Sequence, residues 1–383
     1  MSDTPIIIIG TGLAGYNLAR EFRKKDDSTE LVLISKDNGE FYSKPMLSNA
    51  LAKQKAPDDL PMGDVTKMQN DLGARIITQQ VATSIDVSDQ AVSLADGEKL
   101  NYKKLVLAVG ASPFQFPMQG DATDDVLMVN NLDDYREFRN KLKDKKSVAI
   151  IGPGLIGCEF ANDLAANDYQ VSVIGPDEAP MSTLLPAQAG LALQEALSSI
   201  GVNWYLQKTV SAVNKKDHAY ELTLSDGQTI QADVVLSAIG LRANINLANE
   251  AGIECNRGIV VDRNLKTSDS HVHALGDCAE VEGLLLPFVM PLMQSARALA
   301  ATLSGEDTMV SYPAMPVLIK TPILSTVVSA PARDAEGEWQ IEKTGQGLKA
   351  LFTQGDALLG FVLMGDAVSE KPALTKRLPV VLL

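Results

Sequence analysis

The 383-residue chain is poor in cysteine, histidine and positive charge, and each shortage narrows what it can do. Its three cysteines, Cys158, Cys255 and Cys278, are far apart and form no C-x-x-C or longer-spaced pair. Dithiol chemistry and cysteine-ligated iron–sulfur binding within the chain are therefore not expected, and so sparse a set fits a reducing compartment. Of its three histidines, His271 and His273 alternate in "HVHAL" like H-x-H ligands, but no third or fourth ligand accompanies them, so no metal site is expected. Lys and Arg number 34 against 48 Asp and Glu, a net charge of −14, which argues against nucleic acid or an anionic membrane as the main partner. No apolar run approaches the ~18–20 residues of a membrane helix. No basic segment precedes an apolar run at the start of the chain, so no signal peptide is read there. A soluble cytoplasmic protein is the expectation.

What is present is a repeat. "PIIIIGTGLAG" (residues 5–15) returns as "VAIIGPGLIG" (148–157). In the first copy an apolar strand, Ile6 to Ile9, leads into Gly10, Gly12 and Gly15. A helix-spaced stretch follows (Leu13, Leu18, Phe22), then a second strand, Leu31 to Ile34. The second copy runs from Val148 to Ile151 through Gly152, Gly154 and Gly157, then Ile156, Phe160 and Leu164, to Val171–Ile174. Strand, G-x-G-x-x-G turn, helix, strand is a dinucleotide-binding unit. The first glycine allows the tight turn, the second lets pyrophosphate approach the backbone, and the third lets helix pack on strand. The helix N-terminus offers free N–H groups and partial positive charge to the phosphates. Each copy is followed by a hairpin at Asp-Gly and a buried strand ending in glycine: "LADGEKLNYKKLVLAVG" ends at Gly110 and "LSDGQTIQADVVLSAIG" at Gly240. After residue 314 the pattern changes to short strands, among them "PVLIK", "STVVS" and "LGFVLMG".

The expected fold is α/β, with two Rossmann-like dinucleotide-binding domains, the second inserted in the first, and a small α+β C-terminal domain. The boundaries expected are 1–112 with 246–313, then 113–245, then 314–383.

"GTGLAG", "LVLAVGASP", "ALGDCA" and "GPGLIGCEFA" together resemble the two-dinucleotide-fold flavoprotein reductases, which bind FAD at the first site and NAD(P)H at the second. The resemblance covers most of the chain. It implies FAD contacts from Ile9, Gly10, Thr11, Gly12, Leu13, Ala14, Gly15, Ala108 and Gly110. It also implies a ribityl contact from Asp277, an NADH seat at Gly152, Gly154, Gly157 and Gly240, and a flavin-side glutamate at Glu159. Val289 and Met290 would bring backbone amides to the flavin, just before a helix starting at Pro291. The stretch "FYSKPMLSNALAK" (41–53) lacks the cysteines of the disulfide reductases and peroxidases. It resembles the Y-x-[RK]-P-x-L-S motif of the branch that passes electrons to small iron proteins, rubredoxin among them. Lys44 takes the basic position of this motif and is expected to pair with Glu159, both with catalytic roles. Lys320 of "VLIKTP" is expected to reach the flavin, and Val81 the adenine side.

The chain departs from the family where an acidic residue often ends the second strand of each unit to bind ribose. Ser35 stands there in the first copy, so Ser35, Lys36 or backbone must serve. Gly175 stands there in the second, followed by Asp177 and Glu178, which would repel a 2′-phosphate and favour NADH. The resemblance implies an FAD-dependent NADH oxidoreductase that transfers hydride to flavin and then single electrons to rubredoxin, and that could serve an alkane hydroxylase. Flavorubredoxin or ferredoxin as acceptor, an NADH oxidase or peroxidase, and a non-catalytic NADH-sensing flavoprotein remain alternatives. Lys371, Lys376 and Arg377 form the one small basic cluster noted for docking an acidic partner.

Overall fold

Ile6–Ile9, all buried, form the central strand of a five-stranded parallel sheet in a computed structural model that describes residues 4–383. The strand order is Val272–Ala274, Lys104–Leu107, Ile6–Ile9, Leu31–Ile34 and Arg75–Ile77. Helices cover both faces of such a sheet, which is why its strands read as unbroken apolar runs. A second parallel sheet repeats the plan, with order Val202–Leu206, Gln170–Gly175, Ser147–Ile151 and Val234–Ser237. Each sheet carries a three-stranded antiparallel meander. In each the Asp-Gly turn closes alike, Leu94 N–H on Glu98 O and Leu224 N–H on Gln228 O, both at 2.8 Å.

The second unit is inserted in the first. Strand Val272–Ala274 lies after it in sequence yet pairs with Lys104–Leu107 of the first sheet. The chain passes between the units through a two-stranded neck, Ala111–Pro113 antiparallel to Leu241–Ala243. Asn244 pins this neck: its Nδ2 donates to Val109 O at 2.8 Å, and Ser112 Oγ donates to its Oδ1 at 2.7 Å. The strand-end glycines Gly110 and Gly240 sit at this neck with φ of +68° and +122°.

The C-terminal part is a five-stranded antiparallel sheet, ordered Val317–Ile319, Thr326–Ser329, Ala357–Met364, Leu348–Gln354 and Glu338–Lys343, followed by a short helix, Lys371–Thr375. Its inner face is not separate from the rest. Ile319, Val328, Leu348 and Met364 share one apolar cluster with Val148 and Ile150 of the second sheet and with Leu47 and Ala50 of the first unit. The last residues return to the first unit, where Tyr312 N–H donates to Leu382 O at 2.7 Å. Among the described residues no helix is long and apolar enough to cross a membrane.

Candidate functional site

The two glycine turns are near-copies in three dimensions. Gly10 and Gly152 have φ of +113° and +112°, a region L side chains avoid. A Cβ on Gly15 would lie 1.9 Å from Gly10 O, and one on Gly157 would lie 1.9 Å from Gly152 O, so only glycine lets either helix meet its strand. Gly12 and Gly154 have nothing within 4 Å of a would-be Cβ, leaving an open cradle at each helix N-terminus. Neither helix, Leu13–Arg23 or Leu155–Ala165, has a side-chain cap, so their first N–H groups are free for an anion.

Around the first cradle four distant segments converge. Gly276 (φ +80°) lets the "ALGDCA" turn press on the first helix, since a Cβ there would lie 2.8 Å from Ala14 Cβ. Asp277 follows it, and its carboxylate accepts no hydrogen bond among the described residues. Burial raises this carboxyl above its ordinary value while Lys44 opposes the shift. Burial likewise lowers the Lys44 ammonium, opposed by Asp277 and Asp134. The helix expected from Pro291 begins at Val289 instead. A proline needs no N–H partner in a first turn and so does not mark the first residue. Val289 and Met290 are thus first-turn residues, both exposed, and with Pro291 lacking an N–H they hold free donors of that turn.

Past the end of the second strand, Thr11, Ser35 and Val81 of the expected adenosine side lie together, with one addition. Thr11 Oγ1 and Ser35 Oγ are 2.5 Å apart, and Ser35 Oγ donates to Asp37 Oδ1 at 2.5 Å. Val81 lies beside them, where Gln80 N–H donates to Ser35 O at 3.0 Å, and its side chain is exposed. Two residues past the strand end Asp37 brings a carboxylate to this place, and it also accepts from Gly39 N–H at 2.9 Å. The polar "SKDNG" after the strand was the available signal.

The expected Lys44–Glu159 pair does not form. Lys44 Nζ donates to Asn130 Oδ1 at 2.7 Å. Glu159, fully buried, is ion-paired with Lys320 Nζ, accepts from Lys320 N–H at 2.9 Å and from Ser48 Oγ at 2.6 Å. The carboxylate therefore ties the second unit to the "YSKPMLS" stretch and to the C-terminal sheet at once. Lys320 wins because its backbone amide and its ammonium reach the carboxylate together, a geometry Lys44, turned toward Asn130, cannot match.

In the second unit Gly175 has a packing reason: a Cβ there would fall 2.2 Å from the Pro153 ring of "GPGLIG". Ile156, expected on the buried stripe, is exposed at the first turn beside Gly154, whereas Phe160 and Leu164 are buried. Lys208, which sequence reading overlooked, joins this loop through its N–H to Gly175 O at 3.0 Å, but its ammonium is held by Asp226 at 2.7 Å. His273 is buried and its imidazole is pulled down to about 4, so it is neutral at ordinary pH, while His271 is at the surface.

A family model described as pyridine nucleotide-disulphide oxidoreductase matches residues 4–302. The chain belongs to the pyridine nucleotide-disulphide oxidoreductase family. A second model, described as a rubredoxin binding C-terminal domain, matches residues 309–378. The chain is 48% identical to a rubredoxin-NAD(+) reductase of Alcanivorax borkumensis over 99% of each chain. It is 47% identical to one of Acinetobacter baylyi over 98% of each. Among solved structures it is similar to the ferredoxin reductase for the CYP199A2 system from Rhodopseudomonas palustris, with TM-score 0.89 and 25% identity over 99% of this chain and 96% of that one.

This oxidoreductase family works with a pyridine nucleotide and a flavin, and the residues fit both groups: two open glycine cradles, a carboxylate at Asp277 with no hydrogen bond among the described residues, and a helix with free N-terminal amides. The disulphide in the family's name has no counterpart here. All three cysteines are free; burial pushes Cys278 up to about 12 and raises Cys158 further, so neither buried thiol is ionised or accessible.

Proposed function

We propose that this member of the family is an FAD-dependent NADH:rubredoxin oxidoreductase. What carries the reading is the convergence, beside the first glycine cradle, of Asp277, Lys44 and the amides of Val289 and Met290. The second cradle's helix is tied to the Lys44 segment through Glu159 and Ser48, and to Lys320 through the same carboxylate. Bound FAD would accept hydride from NADH and release electrons singly to rubredoxin. The chain's residues supply orientation and electrostatics. The first turn, with Thr11, Ser35, Lys36, Asp37 and Val81, would hold the adenosine and pyrophosphate of FAD. Ala108 lies under that turn, and Asp277 would take the ribityl hydroxyls. The amides of Val289 and Met290 would bring partial positive charge to the part of a bound flavin that gathers negative charge on reduction.

The second turn would hold the pyrophosphate of NADH, with Gly240 at the neck between the units. Asp177 and Glu178 make that loop hostile to a 2′-phosphate. Residues 314–383 serve as the partner domain, which is where the rubredoxin-binding match supports the reading. Within it Lys376 and Arg377 are exposed and take part in no ion pair among the described residues, so they offer positive charge to an acidic partner. The test is rapid mixing: reduce the holoenzyme with NADH, then compare reoxidation by rubredoxin, ferredoxin, peroxide and oxygen. Fast reoxidation by rubredoxin alone is expected. Slow reoxidation by every acceptor would instead mark a sensor.

A further inference from the structure

Helix Leu155–Ala165 carries three polar side chains that are almost wholly buried, Glu159 at 1% exposure and Asn162 and Asp163 at 3% each. Burying polar groups is unfavourable unless each finds a partner. The buried contacts of Asn162 and Asp163, like those of Glu159, lie outside the helix's own unit. Asp163 Oδ2 accepts from Leu51 N–H at 3.1 Å and its Oδ1 from Ala52 N–H at 2.8 Å. Asn162 Oδ1 accepts from Ile323 N–H at 3.2 Å. Spacing of three and four residues puts all three side chains on one side of the helix. Leu51 and Ala52 close the segment that begins with Lys44, and Ile323 stands in the turn directly after Lys320. The helix whose first turn forms the nucleotide cradle is thereby bonded to both segments that bring a lysine to the site.

We propose that Asp163 and Asn162 are positioning residues that couple the NADH seat at Gly152–Gly157 to the placement of Lys44 and Lys320 beside the flavin. This rests on the functional reading above. The charge at Asp163 supports it. Burial raises its carboxyl to about 6 despite the two amides and the nearby charges of Arg139, on helix Leu132–Lys141, and of Lys53. Tyr135, on the same helix as Arg139, also faces it. An acid raised above its unfolded value contributes most to stability below that value, and the contribution is lost as pH rises through about 6. At neutral pH the ionised carboxylate is therefore a burden on folding. A residue kept there only for stability would be neutral and apolar. A residue kept to fix two backbone amides in place would be a carboxylate.

The test is stopped-flow reduction of the holoenzyme's flavin by NADH, with saturation curves to separate rate from affinity. In the wild type the limiting rate is expected to fall as pH drops through about 6, because protonation removes one of the two acceptor lone-pair sets. Asp163→Asn should lower the limiting rate about tenfold near neutrality, with NADH affinity within about twofold, a shifted flavin absorption band, and no limb near that pH. Asp163→Glu should recover part of the rate. Wild-type rate, spectrum and pH profile in Asp163→Asn would overturn the proposal. If that variant loses flavin or does not fold, Asn162→Ala decides: a limiting rate lowered about threefold at unchanged affinity supports the coupling, and an unchanged rate overturns it. Failure of NADH to bleach the wild-type flavin would instead overturn the functional reading itself, a result distinct from any variant's behaviour.

Discussion

The first and second glycine turns share φ to within one degree at Gly10 and Gly152, and the same would-be clash at Gly15 and Gly157. Their surroundings differ. The first helix packs against the "ALGDCA" turn and the helix from Val289, beside a half-buried carboxylate, Asp277, and a half-buried ammonium, Lys44. The second helix packs its polar side chains on foreign segments and leaves Ile156 exposed beside its turn. A cradle with a carboxylate and an ammonium beside it suits a resident cofactor, and one whose helix is tied elsewhere suits a substrate that comes and goes. Two turns of the same local geometry can thus take the two roles proposed above because of what the rest of the chain places beside each.

The sharpest way to break this contrast is to damage one cradle at a time. Gly15→Ala should yield protein without flavin. Gly157→Ala should keep its flavin but lose about a hundredfold in the rate of reduction by NADH. Flavin content after purification and stopped-flow traces would show it, and loss of flavin from both would erase the distinction.

Next in size is the tie between the units. Lys320→Met leaves the buried Glu159 carboxylate without its ammonium and should cost about 3–5 kcal/mol in urea unfolding. Adding Glu159→Gln should restore part of that, because the uncompensated charge is gone. If Lys44→Met destabilised the protein as much as Lys320→Met, the pairing described above would be wrong.

Smaller effects are expected at the adenosine ends. Asp37→Ala should weaken flavin retention about tenfold in equilibrium binding, the scale of a lost hydrogen bond to a charged group. In the second unit, Asp177→Ser with Glu178→Arg should narrow the preference for NADH over NADPH in kcat/KM. A wild-type enzyme that favours NADPH would refute the role given to that loop. Smallest is the docking charge. Lys376→Glu with Arg377→Glu should slow rubredoxin reduction about twofold to threefold at low salt, with the difference vanishing at high salt. Unchanged salt dependence would remove this patch from the docking face.

Much of this was legible in the chain because it is local. Glycines at fixed spacing between an apolar strand and an amphipathic stretch specify a turn whatever else surrounds them, and Asp-Gly between alternating residues specifies a hairpin. The insertion of one unit in the other was legible because "ALGDCA", which the resemblance assigns to the FAD site of the first unit, follows the second repeat. The start of the helix at Val289 was obscured by Pro291, which is compatible with several first-turn positions. Asp37 was missed because the expected acid belongs at the strand end, and a loop residue reaches the same place by bending back onto Gly39.

By itself, the sequence determined two dinucleotide cradles, the absence of a cysteine pair in "FYSKPMLSNALAK" and an appended domain of short strands. Each depends only on residues within about one supersecondary unit of each other. Only the tertiary structure decided which lysine Glu159 meets, since Lys44 and Lys320 lie on different segments and both were plausible partners by charge. The choice fell to Lys320 because its backbone amide and ammonium approach one carboxylate together, 161 residues away in the chain. Contacts over such separations follow from how whole sheets pack, and no local pattern encodes them.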